Sequence, residues 1–348
     1  MCGRSAGSGF DEIVQRVGSA RRLLIVTHAR PDGDALGTMA ALASATRAAG
    51  RSARMLLPDD VPERYAFVLG GDRPAGPEGF AELADEADLV VVVDTCAFAQ
   101  LDGLEADLRA RRGKVVVVDH HATTDDVADV RWVDPTAAAA GVMVLELIDA
   151  LGWPVEAAAA EALFVAMATD TGWFRHANAD GRCLRAAARL LETGIATDEL
   201  YRRLYQSDRP ERLRLLTRAL ASLELHHGGE VALMKLRRED FAETGARADE
   251  TEDVVNEPLR IGCVAASILV VEAPGAGAPV VRGSLRSRGR VDVSAVARGF
   301  GGGGHARAAG LRSDRPIDEL ADRLVAACVE ALGGGGTQPP EPADRESS

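Results

Sequence analysis

The first third of the chain is punctuated by short apolar runs, each closed by a polar or charged residue: Arg21–Thr27, Ser52–Leu57, Leu89–Val93, Val115–Val118 and Val130–Val133. Apolar runs of this length between turn signals are the pattern of buried strands. Between them the spacing predicts helices over Asp11–Ala20, Ala35–Ala49, Glu78–Ala87 and Phe98–Arg112. Strands alternating with helices are the mark of βαβ units, so an α/β fold with a mainly parallel sheet flanked by helices is expected. After Val133 the pattern turns helical, with segments at Ala137–Ala150, Val155–Thr169, Gly181–Glu192, Thr197–Gln206 and Glu211–Glu224.

A second alternation begins at Val231. Strands are expected at Val231–Leu236, Cys263–Val271 and Val280–Arg286, the last two joined by the turn sequence Pro274-Gly275-Ala276-Gly277. Helical pieces are expected near Asp240, at Val293–Arg298 and at Ile317–Leu332. The domain plan is therefore a disordered N-terminus (1–10), a catalytic α/β domain (11–206), a helical linker (207–229), a smaller α/β domain (230–332) and a disordered Gly/Pro-rich tail (333–348).

Composition narrows the classes. With 348 residues, 47% hydrophobic and 4% aromatic, the chain can bury sizeable cores rich in Ala and Val. No apolar run has the length of a membrane span and no basic-then-apolar leader opens the chain, so a cytoplasmic protein without membrane contact is expected. Five scattered cysteines contain no CxxC pair, which argues against a zinc knuckle. A net charge of −13 argues against a protein that coats long duplex nucleic acid, which needs a broad basic field. Between Arg282 and Arg307, however, six arginines face only Asp292, enough for a small anionic substrate.

The polar residues that close the strands are the candidate chemistry. The first strand delivers His28, Asp32 and Asp34; the third, Asp94; the fourth, Asp119, His120 and His121; and Asp170 breaks the helix that begins near Val155. Open α/β sheets place ligands at the carboxyl ends of their strands. Imidazoles mixed with carboxylates suit Mn²⁺, Mg²⁺ or Fe²⁺ and admit Zn²⁺, and a dication removes the repulsion among clustered acids. Gly33 would let Asp32 and Asp34 diverge by bending the backbone. Singly, each has a plain explanation: a turn for Asp32-Gly33-Asp34, a helix cap for Asp94, a satisfied polar residue for His28. Their joint appearance at the ends of one βαβ series does not.

Taken in order, His28-Ala-Arg-Pro-Asp32-Gly-Asp34, Val-Val-Val-Asp94, Asp119-His120-His121 and Thr169-Asp170-Thr171-Gly172 resemble the four motifs of the DHH phosphoesterase superfamily. Gly301, Gly302, Gly303, Gly304 and His305, followed by Ala308-Ala309-Gly310, resemble the nucleotide-contacting motif of the DHH-associated C-terminal domain. Length and lack of extra modules look most like the nanoRNase (oligoribonuclease)/pAp-phosphatase branch. The resemblance implies two divalent ions, usually Mn²⁺. His28, Asp32 and Asp94 would hold one, and Asp34, Asp94, His120 and Asp170 the other. His121 would face the scissile phosphate, with Asp119 orienting the histidine pair.

The expected activity is hydrolysis of short RNA oligonucleotides from one end, and of 3′-phosphoadenosine 5′-phosphate, in a cleft between the two domains. Activated water would attack the phosphorus. The glycine run would bring backbone N–H groups close to a phosphate, and Arg286 and Arg288, two apart on a strand, would form one clamp. Trp173 and Phe174 are candidates to stack a base, though core packing is their commoner role. A homodimer is compatible with the sequence. Two other functions fit the same residues: a phosphodiesterase of cyclic or linear dinucleotides, and a nucleotide-binding sensor that hydrolyses nothing.

Overall fold

The computed structural model describes residues 9–122, 124–272, 274 and 280–333. The chain divides into two compact units that meet at Ser207 and Asp208. The turn residues Gly275, Ala276 and Gly277, and most of both termini expected to be disordered, lie outside the described residues.

The first unit carries strands β1 (Arg22–Val26), β2 (Ser52–Leu56), β3 (Leu89–Val93), β4 (Val115–Asp119) and β5 (Val130–Val133). They form one parallel sheet in the order β2-β1-β3-β4-β5. Its helices are α1 (Phe10–Ser19), α2 (Gly33–Ala48), α3 (Phe80–Glu86), α4 (Glu105–Ala110), α5 (Ala140–Leu151), α6 (Ala157–Asp170), α7 (Gly181–Leu191) and α8 (Thr197–Tyr205). The unbroken valine runs follow from the sheet being covered on both faces. Val91, Val93, Val116 and Val118 pack into one layer, while Val90, Val92, Val115 and Val117 pack into the other.

Two features of this unit set up the site. From β1 the chain steps outward to β2 and then returns to the other side of β1 to make β3. The crevice between β1 and β3 is thus a topological switch point, where ligands of such sheets bind. Second, α2 and α6 approach very closely. A Cβ on Gly37 would stand 2.3 Å from the Ala162 carbonyl oxygen, and one on Gly33 would stand 2.5 Å from the Thr169 side chain. Glycine at both positions lets the start of α2 lie against the end of α6, so Asp32 and Asp34 meet Asp170.

The second unit opens with α9 (Pro210–Ala221), whose Leu215 and Ala219 are buried with Met234 and Phe241. Its sheet follows the order β10-β11-β9-β8-β7-β6. The strands are β6 (Glu224–His226), β7 (Val231–Leu236), β8 (Ala266–Glu272), β9 (Val281–Ser287), β10 (Gly303–His305) and β11 (Ala308–Ser313). Only β7 and β8 run parallel. Helices α10 (Arg238–Thr244), α11 (Val293–Arg298) and α12 (Ile317–Gly333) complete it, and α11 and α12 bury the apolar face of the sheet. The stretch 207–229, expected as a linker, therefore supplies a helix and an edge strand that belong to this unit.

Several boundaries differ from expectation. The helix expected over Phe98–Arg112 shortens to α4, with one-turn 3₁₀ segments on either side. The strand expected from Cys263 begins at Ala266. Phe10, placed by the sequence in a disordered leader, starts α1 and packs edge-on against Trp132 at 4.6 Å. Gly333, expected in the tail, is the last residue of α12. Among the described residues no helix is long and apolar enough to cross a membrane.

Candidate metal centre

Three neighbouring strands deliver the site. His28 follows β1, Asp94 follows β3, and Asp119 ends β4 with His120 and His121 after it. Asp94 is the hub. It is buried, and its backbone is left-handed (φ 60°), a conformation a non-glycine residue adopts at a cost and that recurs at functional sites. Its Oδ2 lies 3.3 Å from His28 Nε2, and its Oδ1 lies 3.4 Å from His120 Nε2 and 3.9 Å from His121 Nδ1. His120 Nε2 is also 3.6 Å from Asp34 Oδ2.

The main chain decides which imidazole nitrogen points inward. His28 Nδ1 donates to the carbonyl of Ala29 (2.9 Å), and His120 Nδ1 donates to that of Ala137 (3.1 Å). Both rings therefore turn Nε2 toward the carboxylates, the orientation a metal-ligating histidine takes when its other nitrogen is anchored. His121 differs, because its Nδ1 donates to Asp119 Oδ1 at 2.7 Å.

The acids are fixed as firmly. Asp32 caps α2, accepting from the N–H groups of Asp34 and Ala35 at 3.0 Å each. Gly33 is the first residue of α2, so its role is close packing against Thr169 rather than the backbone bend expected from the sequence. Asp34 accepts from the N–H groups of Ala140 (2.7 Å) and Gly141 (3.0 Å) at the start of α5, and from Thr38 Oγ1 (3.0 Å). Gln100 ties the two loops that carry His28 and Asp94. Its carbonyl accepts from Ala29 N (2.7 Å), and its side-chain oxygen accepts from Thr95 Oγ1 (2.6 Å).

Packing this many ionisable groups together shifts their protonation. Burial works against charge on His28 and His120, but the carboxylates around them win, raising His28 to about 9 and His120 to about 11. His121 is raised too, with burial opposing and Asp119 and Asp94 prevailing. Burial favours a neutral Asp94, yet the neighbouring imidazoles of His120 and His28 hold it below the usual carboxylate range. Burial and the charge of Asp94 push Asp170 up to about 6, against the pull of His120, and raise Asp34 well above its ordinary value.

The residues fit divalent cations. Three sets of ligand atoms each lie within 4.8 Å of one another: His28, Asp32 and Asp94; Asp94, His120 and His121; and Asp34, His120 and Asp170. Asp94 Oδ1 is buried and accepts no hydrogen bond, a costly condition that a cation would relieve. The donor set, all imidazole and carboxylate, suits hard or borderline metals.

The proposed substrate residues lie in the second unit. Arg286 sits on β9, half-buried, and donates to the carbonyl of Leu285 (3.0 Å). Arg288 lies one residue past the end of β9, its guanidinium directed to the carbonyls of Gly262 and Leu259. The two do not share a strand as expected. The half-buried arginine on the face of Arg286 is instead Arg282, four residues earlier, expected as part of the basic patch but not of the clamp. Its Nε is buried and donates to no partner.

Gly301–His305 does not form a simple loop. Gly303, Gly304 and His305 are the strand β10, paired with β11, so that His305 faces Ala308 and Ala308 faces Arg286. The hairpin itself demands two of the glycines: a Cβ on Gly302 would stand 2.3 Å from the Gly310 carbonyl oxygen, and one on Gly304 would stand 2.5 Å from that of Ala308. Around Gly301 and Gly303 there is open space. Trp173 and Phe174 pack against the core of the first unit and against Phe164, the commoner role for such a pair.

With this geometry in view, comparison with known proteins is decisive. The N-terminal domain of the DHH family matches residues 22–169, and the DHHA1 domain matches residues 229–334. A bifunctional oligoribonuclease and PAP phosphatase NrnA from Thermus thermophilus is 32% identical over 90% of this chain and 91% of its own. The chain belongs to the DHH family of phosphoesterases. The NrnA of Bacillus subtilis is 27% identical over 90% of this chain and 96% of its own. Among solved structures, an exopolyphosphatase-related protein from Bacteroides fragilis superposes with a TM-score of 0.84 at 26% identity, covering 93% of this chain and 95% of that one. Membership makes the chain a metal-dependent hydrolase of phosphoester bonds.

Proposed function

We propose that this protein hydrolyses short RNA oligonucleotides from one end, and the 3′-phosphate of 3′-phosphoadenosine 5′-phosphate, at a centre of two divalent ions, Mn²⁺ in the first instance. The observation that carries this is Asp94: one buried carboxylate shared between His28 and His120, with Oδ1 accepting no hydrogen bond. His28, Asp32 and Asp94 hold one ion; Asp34, Asp94, His120 and Asp170 hold the other. The substrate assignment rests on likeness to the oligoribonuclease/phosphatase relatives across nearly their whole length. The cytoplasm is the compartment this reading implies.

Bound there, the cations supply an activated water and neutralise charge on the phosphoryl oxygens. The remaining work falls to side chains. Asp119 holds His121 through Nδ1, which leaves Nε2 to carry a proton to the phosphoryl group or to the departing alkoxide. Thr38, Ala140 and Gly141 keep Asp34 from swinging away. In the second unit, Arg286 and the hairpin bearing Gly301–His305 are assigned to the substrate's terminal phosphate and base. Arg288 contributes by holding the main chain near Leu259 and Gly262.

The test is a substrate panel with Mn²⁺ and Mg²⁺ in parallel: RNA oligomers of two to five nucleotides, the adenosine bisphosphate, and a cyclic dinucleotide. Turnover of the first two supports the reading. Preference for the cyclic dinucleotide transfers the same centre to the dinucleotide phosphodiesterase alternative, and turnover of none supports the sensor.

A further inference from the structure

Asp34, His120 and Asp170 come from three distant parts of the chain, yet all are tied to one stretch of backbone, Ala137–Gly141. Asp34 accepts from the N–H groups of Ala140 and Gly141, and His120 Nδ1 donates to the carbonyl of Ala137. The link from Asp170 to the stretch runs through Asn178. The Asn178 side-chain amide donates to the carbonyl of Ala138 (3.0 Å), to that of Asp170 (3.3 Å) and to Asp170 Oδ2 (3.3 Å). His28 and Asp32 are anchored elsewhere, on Ala29 and on the first turn of α2.

Asp170 needs such a partner more than the other acids do. It is the last residue of α6, where the carbonyl ends of the helix repel a carboxylate. One residue beyond it the backbone makes a left-handed turn through Gly172, Trp173 and Phe174 (φ 56°, 60° and 61°). A neutral amide suits the position, because it donates a hydrogen bond without adding charge that would compete with a cation. The stretch it leans on is braced in turn. Arg182 reaches from α7 to Asp134 Oδ2 (2.5 Å) and to both carboxylate oxygens of Glu146 (2.7 and 2.8 Å), on either side of Ala137–Gly141.

We propose that Asn178 is a positioning residue for one of the two ions only: it holds Asp170 where a carboxylate oxygen lies within 4.8 Å of the ligand atoms of Asp34 and His120. This rests on the two-ion reading above. It goes beyond that reading by assigning one ion's affinity to a residue that is not among the ligands of either ion.

The experiment is Mn²⁺ calorimetry on the full chain and on Asn178→Ala. Asn178 is solvent-exposed, so the variant folds, and unchanged thermal unfolding in chelator verifies it. Loss of such an outer partner weakens metal binding by about tenfold to a hundredfold, and tenfold is expected at this exposed site. The expected result is two binding events in the wild type, with one weakened about tenfold in the variant and the other unmoved. Turnover number should fall at saturating substrate with KM unchanged. Equal weakening of both events, or of neither, overturns the proposal. A single event in the wild type overturns the two-ion reading instead; Asn178 then stands if its removal weakens that event and falls if it does not.

Discussion

Gly37→Ala tests whether the close approach of α2 and α6 builds the site. The new Cβ would lie 2.3 Å from the carbonyl oxygen of Ala162 and 3.0 Å from the Cβ and N of Ala166, while ordinary contact begins at 3.4 Å. Neither obstacle is a flexible side-chain end, so α6 must retreat by about 1 Å. Overpacking of this kind costs about 1–3 kcal/mol. For a unit of this size each kcal/mol lowers the melting temperature by roughly 2–4 °C. The functional effect is larger than the stability effect, because the retreat carries Asp170 away from Asp34. A misplacement of about 1 Å in a catalytic arrangement costs on the order of a hundredfold in rate. Phosphoester hydrolysis with saturating Mn²⁺ is the assay, run beside differential scanning calorimetry. Gly113→Ala is the control, since nothing lies within 4 Å of its added Cβ. Wild-type turnover in Gly37→Ala, with melting lowered or not, would refute the idea that this helix contact sets the metal geometry.

Other consequences follow from the same geometry. Asp94→Ala should abolish Mn²⁺-stimulated hydrolysis and both ion-binding events; loss of a single event, read by calorimetry, would deny its bridging role. In chelator, the raised histidines should make stability fall with pH. A histidine whose folded pKa lies above the unfolded ~6.5 stabilises fully below that value and loses the contribution as pH rises through the folded value. For His28, raised to about 9, this amounts to about 3 kcal/mol, and Asp170, raised to about 6, acts in the same direction between pH ~4 and 6. The gain in melting temperature on adding Mn²⁺ should therefore grow from pH 5 to pH 9; a gain that shrinks would contradict the assigned shifts. Arg286→Ala should raise KM for RNA without changing Mn²⁺ affinity, whereas Arg288→Ala should lower the stability of the second unit first. Reversed effects, measured by steady-state kinetics and thermal unfolding, would exchange their roles.

Much of the first unit was legible because its signals are local. Valine runs closed by His or Asp announce buried strands and the edge at which they end, and the order of motifs supplied the rest. What escaped depends on tertiary contact. The left-handed backbone of Asp94 leaves no mark in Val-Val-Val-Asp, since aspartate is ordinary at a strand end. Gly33 and Gly37 are one helical turn apart, a spacing that invites close helix packing, yet Gly33 also sits between two acids and reads as a turn residue. The β10–β11 hairpin was hidden because Gly303-Gly304-His305 has no apolar alternation, and Gly302 and Gly304 are required by the close approach of β11 carbonyl oxygens, a contact the glycine run does not announce. Arg288 was misplaced by one residue of strand length, enough to turn a phosphate clamp into a main-chain brace. Asn178 carries no sequence signal at all, because its meaning lies in which carbonyl and carboxylate it joins.

The most direct test of the central claim is the release of nucleoside monophosphates from a trinucleotide RNA, followed with Mn²⁺, with chelator, and with Asp94→Ala. Stepwise, Mn²⁺-dependent release by the wild type, absent in the other two conditions, is the predicted result. Release that persists in chelator or in Asp94→Ala would contradict hydrolysis at this metal centre.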